Sequence, residues 1–260
     1  MTSVHVRGAC PSLPAPMESG DGLLVRLIAN APVPLDAFIG LCDAAGTHGN
    51  GTMEVSARGS LQVRGLTPLS APRFAAALAA LDIEINDGVP VLADPLRDDP
   101  TALIDANAFA AQLRAAIIEA RLALAPKVSV VVDGGGRVDL DSIASDIRLS
   151  AIMSDAGPKF ELALAGDAAT ATPISVVAIE DAIGEVLALL KAISAQGIDA
   201  RASDLATPRA GRPRATTRQS KRAHPIGRHP LRGNVFAVGL GLAFGHADAD
   251  ALMALARIAK

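Results

Sequence analysis

The chain has no tryptophan and no tyrosine, and its only aromatic residues are six phenylalanines in 260 positions. Proteins that hold single-stranded nucleic acid stack its bases on aromatic side chains, so this composition argues against that class. Cysteine is scarce too. Cys10 and Cys42 stand in dissimilar contexts, with no CxxC and no Cys/His spacing beside either. An iron–sulfur cluster takes about four thiolates, so a complete one cannot come from this chain alone. His48, His224, His229 and His246 are scattered over different segments without an HExxH-like pair, which leaves a metal site unsupported. There is no run of about 18 uncharged apolar residues, so no membrane-spanning helix is expected. Met1 to Pro16 has no uninterrupted apolar core of the kind a signal peptide carries. The expectation is a cytoplasmic protein with reduced thiols. Neither charge is in excess: 27 acidic and 24 basic residues give a net charge of -3, with no global pull toward a polyanion.

Half of the residues are apolar and a fifth are charged, which excludes a wholly disordered chain. The length suffices for one large domain or two ordinary ones. Residues 22–29 (GLLVRLIA) read as a strand, and 34–45 (PLDAFIGLCDAA) as a helix opened by Pro34 and closed at Gly46. Residues 52–58 and 60–66 read as two strands meeting near Gly59, followed by a helix from Ser70 to Ala80. That β-α-β-β-α order is half of a ferredoxin-like sandwich. A loop over 86–101 leads to an Ala-rich helix over 105–124, with Phe109, Leu113, Ile117 and Leu124 near helical spacing. The stretch 127–140 (KVSVVVDGGGRVDL) reads as strand, Gly-rich turn and strand. DIRLSAI and KFELALAG add two more strands, and 179–195 returns to helix. From Asp199 to Arg232 basic residues, beginning with Arg201, Arg209 and Arg212, lie among Pro, Gly, Ser and Thr. A solvated linker explains that texture better than a nucleic-acid or partner-binding arm. The segment from Gly233 onward then repeats the first strand and helix in outline, so the chain is expected to stop partway through a structural unit, as a fragment would.

Within 54–64 (EVSARGSLQVR), strand alternation puts Glu54, Ser56, Arg58, Ser60, Gln62 and Arg64 on one face and Val55, Ala57, Leu61 and Val63 on the other. Two guanidiniums on one face suit a ligand with carboxylates around its rim, because each grips a carboxylate through paired charge-assisted bonds. The same alternation also describes the ordinary solvent side of an antiparallel strand. Lys127 begins the next clear strand, with Ser129 on its face, and either adds a positive charge to a shared cleft or guards a strand edge. Gly134, Gly135 and Gly136 precede another strand rather than a helix, so they fail the dinucleotide pattern and read as a hairpin turn. Cys42 falls on the buried side of a helix and reads as core packing.

RGACPSLPAPMESGDGLLVRL (7–27) and GNGTMEVSARGSLQVRGL (49–66) resemble the N-terminal part of precorrin-3B synthases. The second stretch is also similar to the ferredoxin-like half-domain shared by nitrite and sulfite reductases. The likeness continues through PKVSVVVDGGG (126–136) and DIRL (146–149) and resumes at PLRGNVFAVGLGLAFGHADADALMALA (230–256). The resemblance implies an α+β, nitrite/sulfite reductase-like fold. A ferredoxin-like half-domain would occupy 1–85, an α+β tetrapyrrole-binding domain 86–198, a basic flexible linker 199–228, and an incomplete second half-domain 229–260. By the same likeness Arg58 lines the tetrapyrrole and anion site, Gln62 and Arg64 share its motif, and Lys127 matches an active-site lysine; the four would hold substrate carboxylates. The implied activity is hydroxylation of precorrin-3A with O2 in aerobic cobalamin synthesis. Iron, a [4Fe–4S] cluster and an electron donor accompany it, the cluster ligands lying in a C-terminal half that this sequence lacks. The alternatives are a sirohaem sulfite or nitrite reductase, or a tetrapyrrole-binding half with no activity alone. Ser129 replaces the reductases' second strand lysine, which removes positive charge that a small anion needs.

Overall fold

The computed structural model describes residues 11–56, 58–86, 88–205 and 223–260. They divide into two compact units, one formed by Met1–Asp87 with Gly241–Lys260 and the other by Gly88–Leu240. Along the chain the first unit begins with β1 (Met17–Ser19), β2 (Gly22–Leu27), α1 (Leu35–His48), β3 (Thr52–Val55), β4 (Leu61–Leu66) and α2 (Ala71–Ala79). The second contains β5 (Val91–Ala93), α3 (Ala106–Ala120), β6 (Val130–Asp133), β7 (Ser145–Ser154), β8 (Gly157–Gly166), β9 (Thr172–Val177), α4 (Ile179–Ala195), β10 (Gly227–Pro230) and β11 (Phe236–Gly239). The chain then returns to the first unit with β12 (His246–Asp248) and α5 (Ala249–Ala259).

The first unit is one antiparallel sheet in the order β1-β2-β4-β3-β12 with helices on one face. Its core joins Val25, Leu27, Met53 and Val63 of the sheet to Leu41 and Cys42 of α1, Phe74 and Leu78 of α2, and Leu252 of α5. Helix α1 runs one turn past the expected stop at Gly46, which has open space around it and is tolerated inside the helix. The helix closes at Gly49, whose N–H donates to the Ala45 carbonyl at 3.0 Å. A side chain at Gly49 would meet the Arg64 carbonyl at 2.5 Å, so only glycine fits this crossing. Ser70 stands where a helix cap was expected, but its hydroxyl accepts the Thr67 N–H instead.

The second unit holds a mixed sheet, β5-β6-β7-β8-β9, in which β5, β6 and β7 are parallel and β8 and β9 antiparallel. Phe109, Leu113 and Ile117 of α3 and Val186, Leu190 and Ile193 of α4 pack with the sheet's Val130, Val132, Ile147, Leu149, Phe160 and Leu162. Asp105 caps α3 by accepting the Ala108 N–H at 2.9 Å. The glycine stretch 134–136 corrects the hairpin expectation: β6 and β7 are parallel, so the glycines open a crossover rather than a two-strand turn. Gly134 gives its N–H to both Asp94 carboxylate oxygens at 3.1 Å, and a Cβ there would sit 2.3 Å from the Ile104 carbonyl. Close backbone approach is what those glycines provide.

The expected linker and second half-domain are redrawn in two ways. Arg201, read as the start of a mobile linker, instead grips the buried Asp146, Nε and Nη2 each lying 2.8 Å from a different carboxylate oxygen. That carboxylate also accepts the N–H groups of Ser129 and Ala202 at 3.0 Å. A buried carboxylate with four donors outweighs the solvation that loose basic residues would otherwise enjoy. The expected linker's residues 206–222 lie outside the described residues, as does Cys10. The segment expected to open a second half-domain is divided instead: β10 and β11 belong to the second unit, while β12 and α5 complete the first. Strand β12 pairs antiparallel with β3, and Ala249 and Leu252 of α5 enter the first unit's core because their helical spacing presents one apolar stripe. Replacing Asp146 by Ala should cost about 3 kcal/mol, measured as a lower urea midpoint of the far-ultraviolet circular dichroism transition. The exposed Glu185→Ala on α4 should leave that midpoint unchanged.

Candidate functional site

Four strands of the first sheet each place one residue in a single row. Arg26 of β2 lies opposite Gln62 of β4, Gln62 opposite Glu54 of β3, and Glu54 opposite His246 of β12. Opposed residues share a face, so the row is a polar stripe, while Val25, Met53 and Val63 point into the core. Arg64, two residues beyond Gln62 on β4, extends the stripe. Gln62 is itself buried, and Arg26 and Arg64 are half-buried.

Glu54, Gln62 and Arg64 therefore share the face expected of them, but the continuous wall does not form. β3 ends at Val55, the chain reverses, and β4 begins at Leu61. Gly59, with φ of +70°, takes the left-handed conformation at this reversal, its N–H donating to the Ser56 carbonyl at 2.9 Å. The Ser56 and Ser60 hydroxyls lie 2.6 Å apart across its base. Strict alternation was counted through a turn, where the period of two has no meaning. Arg58 consequently sits exposed at the hairpin tip and, among the described residues, has no ion-pair partner.

Arg64 is differently placed. Its Nε and Nη2 donate to the two Asp21 oxygens at 2.9 and 3.0 Å, and its Nη1 donates to Glu54 at 3.2 Å. Asn50 adds a bond to Asp21 at 3.1 Å. The guanidinium expected to hold a ligand carboxylate already holds two carboxylates of the protein. Glu54 also faces His246, whose Nε2 is 3.7 Å away. Arg26 and His246 were missed in the sequence. The available signal for Arg26 was a single charge inside the apolar strand GLLVRLIA; His246 had none, since its strand pairs with β3 across almost the whole chain.

Lys127 belongs to the second unit and lies exposed in the turn before β6 rather than in the strand. Ser129 is buried, and its hydroxyl has no hydrogen-bond partner among the described residues. A cleft in the same unit is lined by Asp94, Asp98, Asp99, Asp105, Asn107 and Arg232 among others. Its carboxylates serve the fold: Asp94 holds Gly134, Asp105 caps α3, and Asp99 accepts the Thr101 and Arg137 N–H groups. Burial pushes the Asp99 carboxyl up, but those bonds outweigh it and hold the group below its ordinary value. A lining of carboxylates has the wrong sign for a polycarboxylate ligand. Cys42 is fully buried, and burial together with the Asp250 charge pushes its thiol up to about 11. It is neither nucleophile nor thiolate ligand at neutral pH.

The Asp21 carboxyl is held well below the usual carboxylate range, first by the Arg64 hydrogen bonds and then by that of Ser19. A depressed folded-state value means that the ionised carboxylate stabilises the fold above its ordinary 3.8 and that this contribution disappears as pH falls below it. Arg64→Met should flatten the loss of stability between about pH 4 and pH 2. It should also return the Asp21 titration toward 3.8 in a carbon-detected NMR pH series. A value that stays low in the variant would assign the depression to Ser19 and Asn50 instead.

No protein-family model matches the chain. It is 38% identical over 257 residues to a curated protein of Sinorhizobium sp. named precorrin-3B synthase, an alignment covering 95% of this chain and 56% of that protein. Its structure is similar to that of the Mycobacterium tuberculosis NirA protein, with a TM-score of 0.62 and 15% identity, over 91% of this chain and 50% of the other. That likeness concerns the fold, which is α+β and nitrite/sulfite reductase-like. The chain thus spans about half the length of each of these two proteins. Sequence likeness along nearly the whole of this chain, together with the shared fold, makes it similar to about half of a curated precorrin-3B synthase and to about half of NirA.

Proposed function

We propose that this chain is the carboxylate-gripping half of a tetrapyrrole oxygenase that converts precorrin-3A to precorrin-3B with O2 in aerobic, cytoplasmic cobalamin synthesis. The observation that carries the reading is the polar row Arg26, Gln62, Glu54 and His246 across one face of the first sheet, with Arg58 exposed at the adjoining hairpin tip. A flat face edged by cations suits a flat macrocycle edged by carboxylates.

The residues divide by how free their charges are. Arg58 is open to water and offers its whole fork to a carboxylate. Gln62, 6% exposed, offers an amide rather than a charge. Lys127 is an exposed point charge of the second unit. Arg64 meets a substrate carboxylate only by giving up Asp21, so its first role is to position β4 and its second is exchange between the two. A [4Fe–4S] cluster would supply electrons to such chemistry, yet the residues here do not fit one. Of two cysteines in the chain, Cys42 is sealed in a core. Turnover and its electron donor are therefore assigned to the protein completed by the part this chain does not span. Among the described residues no helix is long and apolar enough to cross a membrane.

The test is an optical titration of the purified chain with uroporphyrin, a porphyrin bearing carboxylates around its rim. Saturable binding is expected, weakened about tenfold by Arg58→Ala and only about two- to threefold by Arg64→Ala, because truncating a free charge removes a contact that Arg64 does not yet make. Binding indifferent to Arg58→Ala would reject the assigned site. Asp21→Asn, which frees the Arg64 fork, should tighten binding by about threefold; no change would remove Arg64 from the ligand's contacts.

A further inference from the structure

Of the six phenylalanines, Phe74, Phe109 and Phe160 are buried in the two cores, and Phe38 packs against the first. Phe236 lies under the Arg228 guanidinium, 3.5 Å from its ring centre. Phe244 is the opposite extreme, 99% exposed and without a ring contact among the described residues. A lone apolar residue at a surface needs no explanation, but the backbone of this one does. Its φ of +54° and ψ of +20° lie in the left-handed region, an outlier for a bulky side chain and a conformation that glycine adopts freely. Gly245 follows with φ of +76°, and a Cβ there would come within 2.7 Å of the Val55 carbonyl. The chain is therefore pressed against the end of β3 at one residue while the ring before it is turned out to water. Strain kept at such a position points to a use for the side chain it displays.

The register tells what surrounds the ring. β12 runs antiparallel to β3 with His246 opposite Glu54, so Phe244, two residues earlier, comes level with Ser56 at the base of the hairpin that carries Arg58. Arg58 is exposed, and the His246 side chain is half exposed. The neighbours along this margin are thus chiefly polar, with Val55 adding a little exposed apolar surface. A protein partner would call for a broad apolar patch. One open ring beside a cation suits something flat, conjugated and acidic at its edge.

We infer that Phe244 is a stacking residue of the candidate site, laying its ring against the plane of a tetrapyrrole whose rim carboxylates meet Arg58. This rests on the functional reading above and adds what charge does not supply. Arginines grip carboxylates on any scaffold, whereas a ring against the plane selects a flat conjugated body. Phe244 is then the residue that distinguishes a macrocycle from other polycarboxylates.

The experiment titrates uroporphyrin into the wild-type chain and into Phe244→Gly and Phe244→Trp, with the urea midpoint of each variant measured alongside. Phe244→Gly removes the ring and relieves the left-handed backbone, so binding should weaken by about tenfold while the midpoint does not fall. A merely structural residue would show neither pattern. Phe244→Trp keeps a stacking face and should bind within about twofold of wild type. Since the chain has no tryptophan of its own, the emission of that single indole should be quenched along the same saturation curve. Ile258→Ala, which truncates an 83% exposed residue on α5, should leave affinity unchanged. Affinity unaltered in Phe244→Gly, or an indole in Phe244→Trp whose emission ignores bound porphyrin, overturns the inference. Binding that depends on Arg58 but not on Phe244 removes the stacking role alone. Binding that depends on Phe244 but not on Arg58 removes the carboxylate reading alone, and no saturable binding removes both.

Discussion

Parallel strands cannot be joined by a tight turn, so the register of β6 against β7 must be fixed by something other than a hairpin. In this protein the Asp146 carboxylate does much of that. It accepts the Ser129 N–H just before β6, while the Ser129 carbonyl accepts the N–H groups of Asp146 and Ile147 at the start of β7. The same carboxylate takes the Arg201 fork and the Ala202 N–H from the segment after α4. One buried anion thus ties together three stretches of chain that are far apart in sequence. Charges are expensive to bury, and this one is tolerated because each of its oxygens has two donors.

The polar stripe of the first unit follows the same electrostatic rule with a different result. Arg64 and Asp21 satisfy each other at the sheet margin, which makes Arg64 a fixed part of the surface rather than a free hand. Arg58, three residues past the end of β3 in a turn that Gly59 permits, has no ion-pair partner among the described residues. The distinction matters for recognition: a cation that already holds a carboxylate presents a ligand with competition, and one that does not presents it with an invitation.

Much of this architecture was legible in the sequence because its signals are local. The strand and helix periods of GLLVRLIA, PLDAFIGLCDAA and the 179–195 stretch mark β2, α1 and α4, and the likeness of EVSARGSLQVR to a known half-domain pointed at the sheet that carries the stripe. What failed was information held between distant segments. No local pattern says that Arg201 finds Asp146, that His246 lines up beside Glu54, or that Gly134 serves a carboxylate forty residues upstream rather than a hairpin. Alternation likewise could not reveal that Arg58 lay in a turn, because the turn happens to preserve the parity of polar and apolar residues.

The return of the chain to its first sheet fixes an order of events. Strand β12 and helix α5 are needed to cover the β3 edge and close the α1 side of the core, yet they come after the whole of the second unit. The second unit has all its residues by Leu240, so as the polypeptide leaves the ribosome it is the inserted unit that can consolidate first. The first unit waits with an open edge until residues 246–259 have emerged, and its long-range pairing makes it the slower of the two to settle.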